Sequence, residues 1–303
     1  MLNQRTQKRT HTPIAEFTRP SFAVAPDLSG LRKLKDDDKQ EVLAFLSTRP
    51  VHTVAMTSFV NDNGIESELN RGEFYEYRNR RGVVEGIALI GHTTLVEART
   101  EDALKALAFA ARTPAVPINL IMSSGTAAQT FWNYLKGFQV NPRLTLTELL
   151  FEVGFPFPVQ VCEYDVRLAR PEELEVVAEA HAEVAEIESG VNPLVKDRKG
   201  YLQRVMRRIE QGRVFVVFDG DKLVFKADIV AETDAVAYLE GVYVGPEFRG
   251  KGTGSKCLSA LCLELLNKVQ NVCLLSNVEF KGAHRSFLKA GMRQTDACTT
   301  LFV

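Results

Sequence analysis

The densest chemical signal in this 303-residue chain is the run Arg249-Gly250-Lys251-Gly252-Thr253-Gly254. Three alternating glycines let backbone amides approach an anion with no Cβ in the way. A helix that starts there adds unpaired N–H groups and the positive end of its dipole. The guest that such a cradle suits is a phosphate or pyrophosphate. A Rossmann turn would need Gly-x-Gly-x-x-Gly with an acidic ribose partner about 20 residues on; the spacing here is Gly-x-Gly-x-Gly. A Walker loop would need Ser or Thr after Gly-Lys, and Gly252 stands there instead.

The flanking elements position this run. Tyr238-Leu239-Glu240-Gly241-Val242-Tyr243-Val244 has the β-branched and aromatic content of a strand, and Gly245-Pro246 ends it. Residues 256–268 have the apolar spacing of a helix. Farther on, Leu274-Leu275-Ser276-Asn277 reads as another strand.

With these residues in place, about residues 160–303 resemble the GNAT superfamily of acyl-CoA-dependent N-acyltransferases. The family's signature of Arg or Gln, two residues, Gly, one residue, then Gly or Ala falls on Arg249, Gly252 and Gly254. A Val-x-Val-x-Pro strand end precedes it at Val242, Val244 and Pro246. Asn277, Ala283, Phe287, Lys289, Gly291 and Met292 follow the family's later motif. The resemblance implies acetyl-CoA as co-substrate, its pyrophosphate contacted by Arg249 and the segment Gly250, Lys251, Gly252, Thr253, Gly254 and Ser255. It implies a pantetheine arm pairing like an extra strand with the backbone of Val242, Tyr243 and Val244, and a side-chain amide contact from Asn277. A turn-cap role is the alternative for Asn277. The backbone N–H near Val242 would polarise the thioester carbonyl. Glu240 is the implied base for the acceptor amine; its other reading is a structural salt bridge. The family's acid is a tyrosine where this chain has Phe287, which donates no proton. That leaves Ser286, Tyr243, Tyr238 or solvent, and it keeps a non-catalytic acyl-CoA sensor as the rival to an N-acetyltransferase.

At the scale of the chain, 45% hydrophobic and 25% charged residues suffice for two medium domains. A net charge of -1 gives no basic face to favour nucleic acid. The acceptor is therefore expected to be a small-molecule or peptide amine, with a homo-oligomer left open. Five cysteines without Cys-x-x-Cys spacing, and no apolar run of membrane-spanning length, point to a soluble cytoplasmic protein with reduced thiols. His181 and His284 are far apart in sequence without ligand-spaced companions, so no metal is expected. Cys257 and Cys262 read as small core residues, and Arg204, Arg207, Arg208 and Arg213 as a solvated helix face. Residues 186–193 fall where the family lines its acceptor pocket, and their carboxylates favour a cationic acceptor.

The organisation expected is mixed α/β: a flexible arm over residues 1–28, a degenerate GNAT-like domain over 29–155 and a catalytic one over 159–303. Each would have a mixed, mostly antiparallel sheet flanked by helices. The break falls at Gly154-Phe155-Pro156-Phe157-Pro158, where prolines oppose both helix and central strand. The halves parallel each other, Phe74-Tyr75-Glu76-Tyr77 with Phe215-Val216-Val217-Phe218, Glu97 with Glu240, and Gly137-Phe138 with Gly291-Met292. Between Glu97 and Ala103 the first half has Ala98-Arg99-Thr100-Glu101-Asp102, with no glycine. One acyl-CoA site per chain follows, in the second half.

Overall fold

The computed structural model describes residues 26–303, so the expected arm lies, up to residue 25, outside the described residues. The N-terminal half runs β1 (Leu31–Lys33), α1 (Lys39–Leu46), α2 (Pro50–Asn63), β2 (Gly72–Arg78), β3 (Val84–Gly91), β4 (Thr93–Ala98), α3 (Glu101–Ala110), β5 (Leu120–Ser124), α4 (Ala127–Lys136) and β6 (Leu144–Val153). The C-terminal half repeats that order as β7 (Arg167–Leu168), α5 (Leu174–Ser189), α6 (Pro193–Glu210), β8 (Val214–Asp219), β9 (Lys222–Glu232), β10 (Val236–Val244), α7 (Thr253–Leu265), β11 (Asn271–Asn277), α8 (Lys281–Lys289) and β12 (Arg293–Phe302). The mixed α/β class and the internal parallel are both present. The halves differ at the strand-to-helix turn: β10 reaches α7 through a 3₁₀ turn at Pro246–Phe248 and the glycine run, whereas α3 begins almost at once after β4. Helix α7 also starts three residues earlier than its apolar spacing indicated, because glycines and polar residues fill its first turn.

The twelve strands among the described residues form one sheet, in the order β1-β2-β3-β4-β5-β12-β6-β11-β10-β9-β8-β7. Among the described residues only β4 with β5 and β10 with β11 run parallel. The last strand of each half has crossed over. β12 pairs with β5 of the first half, and β6 pairs with β11 of the second. The two exchanged strands pair with each other. Strand β6 is a central strand at its C-terminal end, where Leu150, Phe151 and Val153 are buried on alternating faces.

Helices cover both faces. In the first half Ala88 and Ile90 pack under α3 and α4, while Ile87 and Leu89 face α1 and α2. In the second half α7 and α8 close a core containing Phe151, Phe225, Leu239, Leu258 and Leu274, and α5 and α6 pack on β8. Helix α2 reaches beyond its own half: Val54 packs with Leu150, Tyr238 and Cys273. The first half thus supplies both a strand and a helical wall to the sheet that carries β10.

Candidate functional site

Strands β10 and β11 pair from Val236 with Asn271 to Leu239 with Leu274, and then part. Beyond that point β10 stays on β9 and β11 stays on β6. The parting leaves a cleft of about 230 Å³, lined among others by Glu188, Glu240, Val242, Tyr243, Ser276 and Phe287. It meets a larger trough of about 610 Å³ against the glycine run and α8, with Val244, Arg249 and Ala283 shared between them.

The trough has the chemistry of an anion site. Gly250 and Gly252 sit at φ of +75° and +83°, where a Cβ would be strained, and a Cβ on either would meet open space. Gly254 is constrained by packing instead, since a Cβ there would lie 2.7 Å from Val244 Cγ2. Gly252 caps α7, so the amides of Thr253, Gly254 and Ser255 are the first of the helix and lack intrahelical acceptors. Arg285 and Lys289 add positive charge from the α8 wall. Arg285 belongs to no motif in the sequence, but Gly282, Arg285 and Lys289 share the helical spacing that puts them on one face. Lys251 and Thr253 do not line the trough; Thr253 is buried at the helix start. Arg249 braces the end of β10, with Nε donating to the Val244 carbonyl at 2.8 Å, its guanidinium 3.0 Å from Glu183 and stacked over the Tyr243 ring.

The inner end of the cleft holds the carboxylates. Glu240 faces Asp228 of β9 across a bulge at Gly241, whose φ is +59°. A Cβ at Gly241 would press on Lys226 Nζ at 3.0 Å. Lys226 is fully buried, 2.8 Å from Asp228, and directs Nζ toward the Gly241 carbonyl at 3.4 Å, which fixes the bulge from beneath. Arg208 stands 3.6 Å from Asp228, so this arginine faces the site and is not part of a solvated face. His181 likewise has an acidic neighbour after all, Asp228 at 3.3 Å, and burial pushes its imidazole down to about 3. No group of residues that could hold a metal occurs among the described residues.

Glu240 opens into the cleft yet is walled by protein. That desolvation raises its carboxyl above the ordinary range, opposed by Arg208 and by a hydrogen bond from the buried Tyr238 hydroxyl. No ion pair forms to Glu240 among the described residues; the nearby cations bind Asp228. Glu188, in the last turn of α5, is raised to about 7 by desolvation and then by Glu240 and Glu148. Glu148 comes from β6, is raised by burial and by Glu240, and accepts a hydrogen bond from Thr300 Oγ1 at 2.5 Å. No sequence signal placed Glu148 near Glu240, because only the strand exchange sets β6 beside β11. Asn277 lies outside both cavities, and its side-chain oxygen caps a turn by accepting from Glu279 N at 3.0 Å. Phe287 lies in the cleft wall, edge-on to Phe151.

The same positions in the first half are closed. Glu97 is 3% exposed and ion-paired to Arg49 and Arg99, each at 3.0 Å. Thr100 Oγ1 accepts from Ala103 N at 3.2 Å, which caps α3 directly.

Residues 210–291, from the end of α6 through α8, match the family model described as an acetyltransferase (GNAT) domain. Over these residues the chain carries a GNAT domain. The matched segment holds the parted strands, the glycine run and α8, which line the trough and most of the cleft; Glu183, Val184, Ile187 and Glu188 of α5 complete the cleft from outside it. Across nearly the whole described chain the fold is similar to that of several solved structures. A GNAT-family acetyltransferase from Colwellia psychrerythraea covers 90% of this chain and 99% of its own at 14% identity and a TM-score of 0.56. A Drosophila protein covers 90% and 98% at 11% identity and 0.64. A tandem GNAT protein from the clavulanic acid biosynthesis pathway covers 90% and 98% at 13% identity and 0.53. No curated protein matches the sequence. No helix among the described residues is long and apolar enough to cross a membrane.

Proposed function

We propose that the chain is an N-acetyltransferase that moves the acetyl group of acetyl-CoA to an amine, using one site formed by the C-terminal half, on a sheet that β6 of the first half completes. The observation that carries this reading is the continuous path from the parted strands to the glycine-capped start of α7, with Glu240 at its inner end. The residues fit the co-substrate: amides of residues 250–255 with Arg285 and Lys289 for the pyrophosphate, and the unpaired side of β10 at Val242, Tyr243 and Val244 for an amide-bearing arm. When bound, acetyl-CoA supplies an already activated acyl group.

The chain's own residues then do three things. The Gly241 bulge turns the backbone so that an amide near Val242 can donate toward a carbonyl oxygen at the cleft's inner end. Glu240, held by Tyr238 and free of an ion-pair partner, takes the proton from the acceptor ammonium, directly or through water; its raised pKa brings it nearer the range where a base works at neutral pH. Glu148 and Glu188 give the acceptor side negative potential, which favours a cationic amine. With Phe287 in the wall, the departing thiolate takes its proton from Ser286, Tyr243 or solvent; Tyr238 is committed to Glu240.

Phe287 is also the observation favouring the second reading, a module that binds acyl-CoA without turnover. A panel of small amines, amino acids and peptides incubated with acetyl-CoA and followed by free-thiol release separates the two. Thiol released with a saturable acceptor supports the enzyme, whereas tight acetyl-CoA binding with no acceptor-dependent thiol supports the sensor.

A further inference from the structure

Cys162 and Cys257 place their Sγ atoms 3.9 Å apart although 95 residues separate them. Cys257 is buried in the second turn of α7. Cys162 is partly exposed, on the strap without regular structure that joins the two halves between β6 and β7. The strap is fastened on either side of this contact: Gln160 N donates to Ser259 Oγ at 3.0 Å, and Glu163 pairs with Lys256 at 3.0 Å. Gln160 Oε1 also accepts from Ser255 Oγ, at 3.5 Å, in the turn that opens onto the trough. Cys262, Cys273 and Cys298 are all buried.

A disulfide needs the sulfurs at about 2.05 Å, so closure asks for a movement of roughly 2 Å. The strap, with no ladder or helix of its own at Cys162, can supply it while α7 stays in place. We propose that Cys162 and Cys257 are a modification site, a dithiol that a small disulfide oxidant such as oxidised glutathione converts to an intramolecular disulfide, tying the strap between the halves to the helix of the anion trough.

The exchange balances in two steps. Cys162, reachable from solvent, loses its proton and attacks one sulfur of the oxidant; the oxidant's S–S bond breaks and one glutathione thiolate leaves and is protonated. Cys257 then releases its proton to solvent and attacks Sγ of Cys162. The mixed disulfide breaks, and the second glutathione leaves as a thiol. Two protein thiols are oxidised and one oxidant disulfide is reduced to two thiols. Burial raises the Cys257 thiol, which makes the second step the slower one, while its fixed position beside Cys162 offsets that by proximity.

The test uses the full chain without acetyl-CoA, so its outcome is independent of the function proposed above. The protein is held in oxidised glutathione, quenched in acid, denatured and alkylated, and its free thiols are counted against the five of the reduced chain. The expected result is a loss of two thiols, a peptide linking residues 162 and 257, full reversal by dithiothreitol, and no internal disulfide in Cys162→Ser. Cys257→Ser is the second variant; if the core rejects it, Cys162→Ser alone decides. Five free thiols, a stable glutathione adduct on Cys162 with Cys257 still alkylated, or disulfides only between chains would each overturn the proposal.

Discussion

Because β6 and β12 have changed places, the C-terminal half should not fold without the first. A fragment spanning 159–303 keeps the glycine run, Glu240 and all of α5 to α8 but lacks β6. It would expose the edge of β11 and leave β12 without either of its partners. It would also lose Leu150, Phe151 and Val153, each buried to within 3%. At about 1.5–3 kcal/mol per buried apolar side chain, that is roughly 5–9 kcal/mol before any lost ladder hydrogen bonds. The whole stability of a typical domain is about 5–15 kcal/mol, so the fragment falls near or below the threshold of folding. The assay is far-UV circular dichroism and thermal melting of the fragment alone and of the fragment co-expressed with residues 26–158. The fragment alone should be unfolded or aggregated, and the pair should copurify with one cooperative transition. A monomeric fragment that melts cooperatively and is stabilised by acetyl-CoA like the full chain would refute the reasoning.

Other outcomes follow from the site. Glu240→Gln should leave acetyl-CoA affinity unchanged and lower kcat/KM by roughly a hundredfold at neutral pH, with partial recovery at high pH as the free amine forms in bulk; normal rates at every pH would move the base elsewhere. Gly254→Val should destabilise the protein by driving Cβ into Val244, whereas Gly252→Leu should cost about 1–2 kcal/mol from its positive φ and also block the trough. Melting curves with and without acetyl-CoA tell these two apart. Glu188 has a folded pKa near 7, above its ordinary value, so the folded state holds its proton more tightly and stability falls as pH rises from the ordinary carboxylate range through 7. Glu188→Gln should shrink the drop in Tm between pH 5 and 8 by on the order of 2 °C, discounted because the side chain is open to solvent; an unchanged drop would show that Glu188 is not held near Glu240 and Glu148.

Local chemistry was legible in the sequence where backbone conformation demanded one residue type. The glycine run and the strand before it follow from φ requirements and unpaired amides, which act within a few residues. The repeat was legible for the same reason, since strand-turn-strand signals at residues 72–91 and 214–232 depend on local alternation. Strand exchange was not legible, because β6 carries the same alternation whichever half it joins, and the choice between β5 and β11 rests on contacts far apart in the chain. Everything that depends on the exchange was therefore hidden, including Glu148 near Glu240 and the packing of α2 against Leu150 and Tyr238. The roles of Arg208 and His181 were hidden for a related reason: their partner Asp228 lies on β9, and the pairing appears only once α5 and α6 are laid over the sheet.

Isothermal titration of the full chain with acetyl-CoA, repeated on Gly252→Leu, tests the central claim most directly. One site per chain is expected, since Glu97 with its two arginines and the capped start of α3 close the corresponding position in the first half, and the variant should bind at least tenfold more weakly. Two equivalent sites, or unchanged binding in the variant, would contradict a single site on the glycine-capped helix of the C-terminal half.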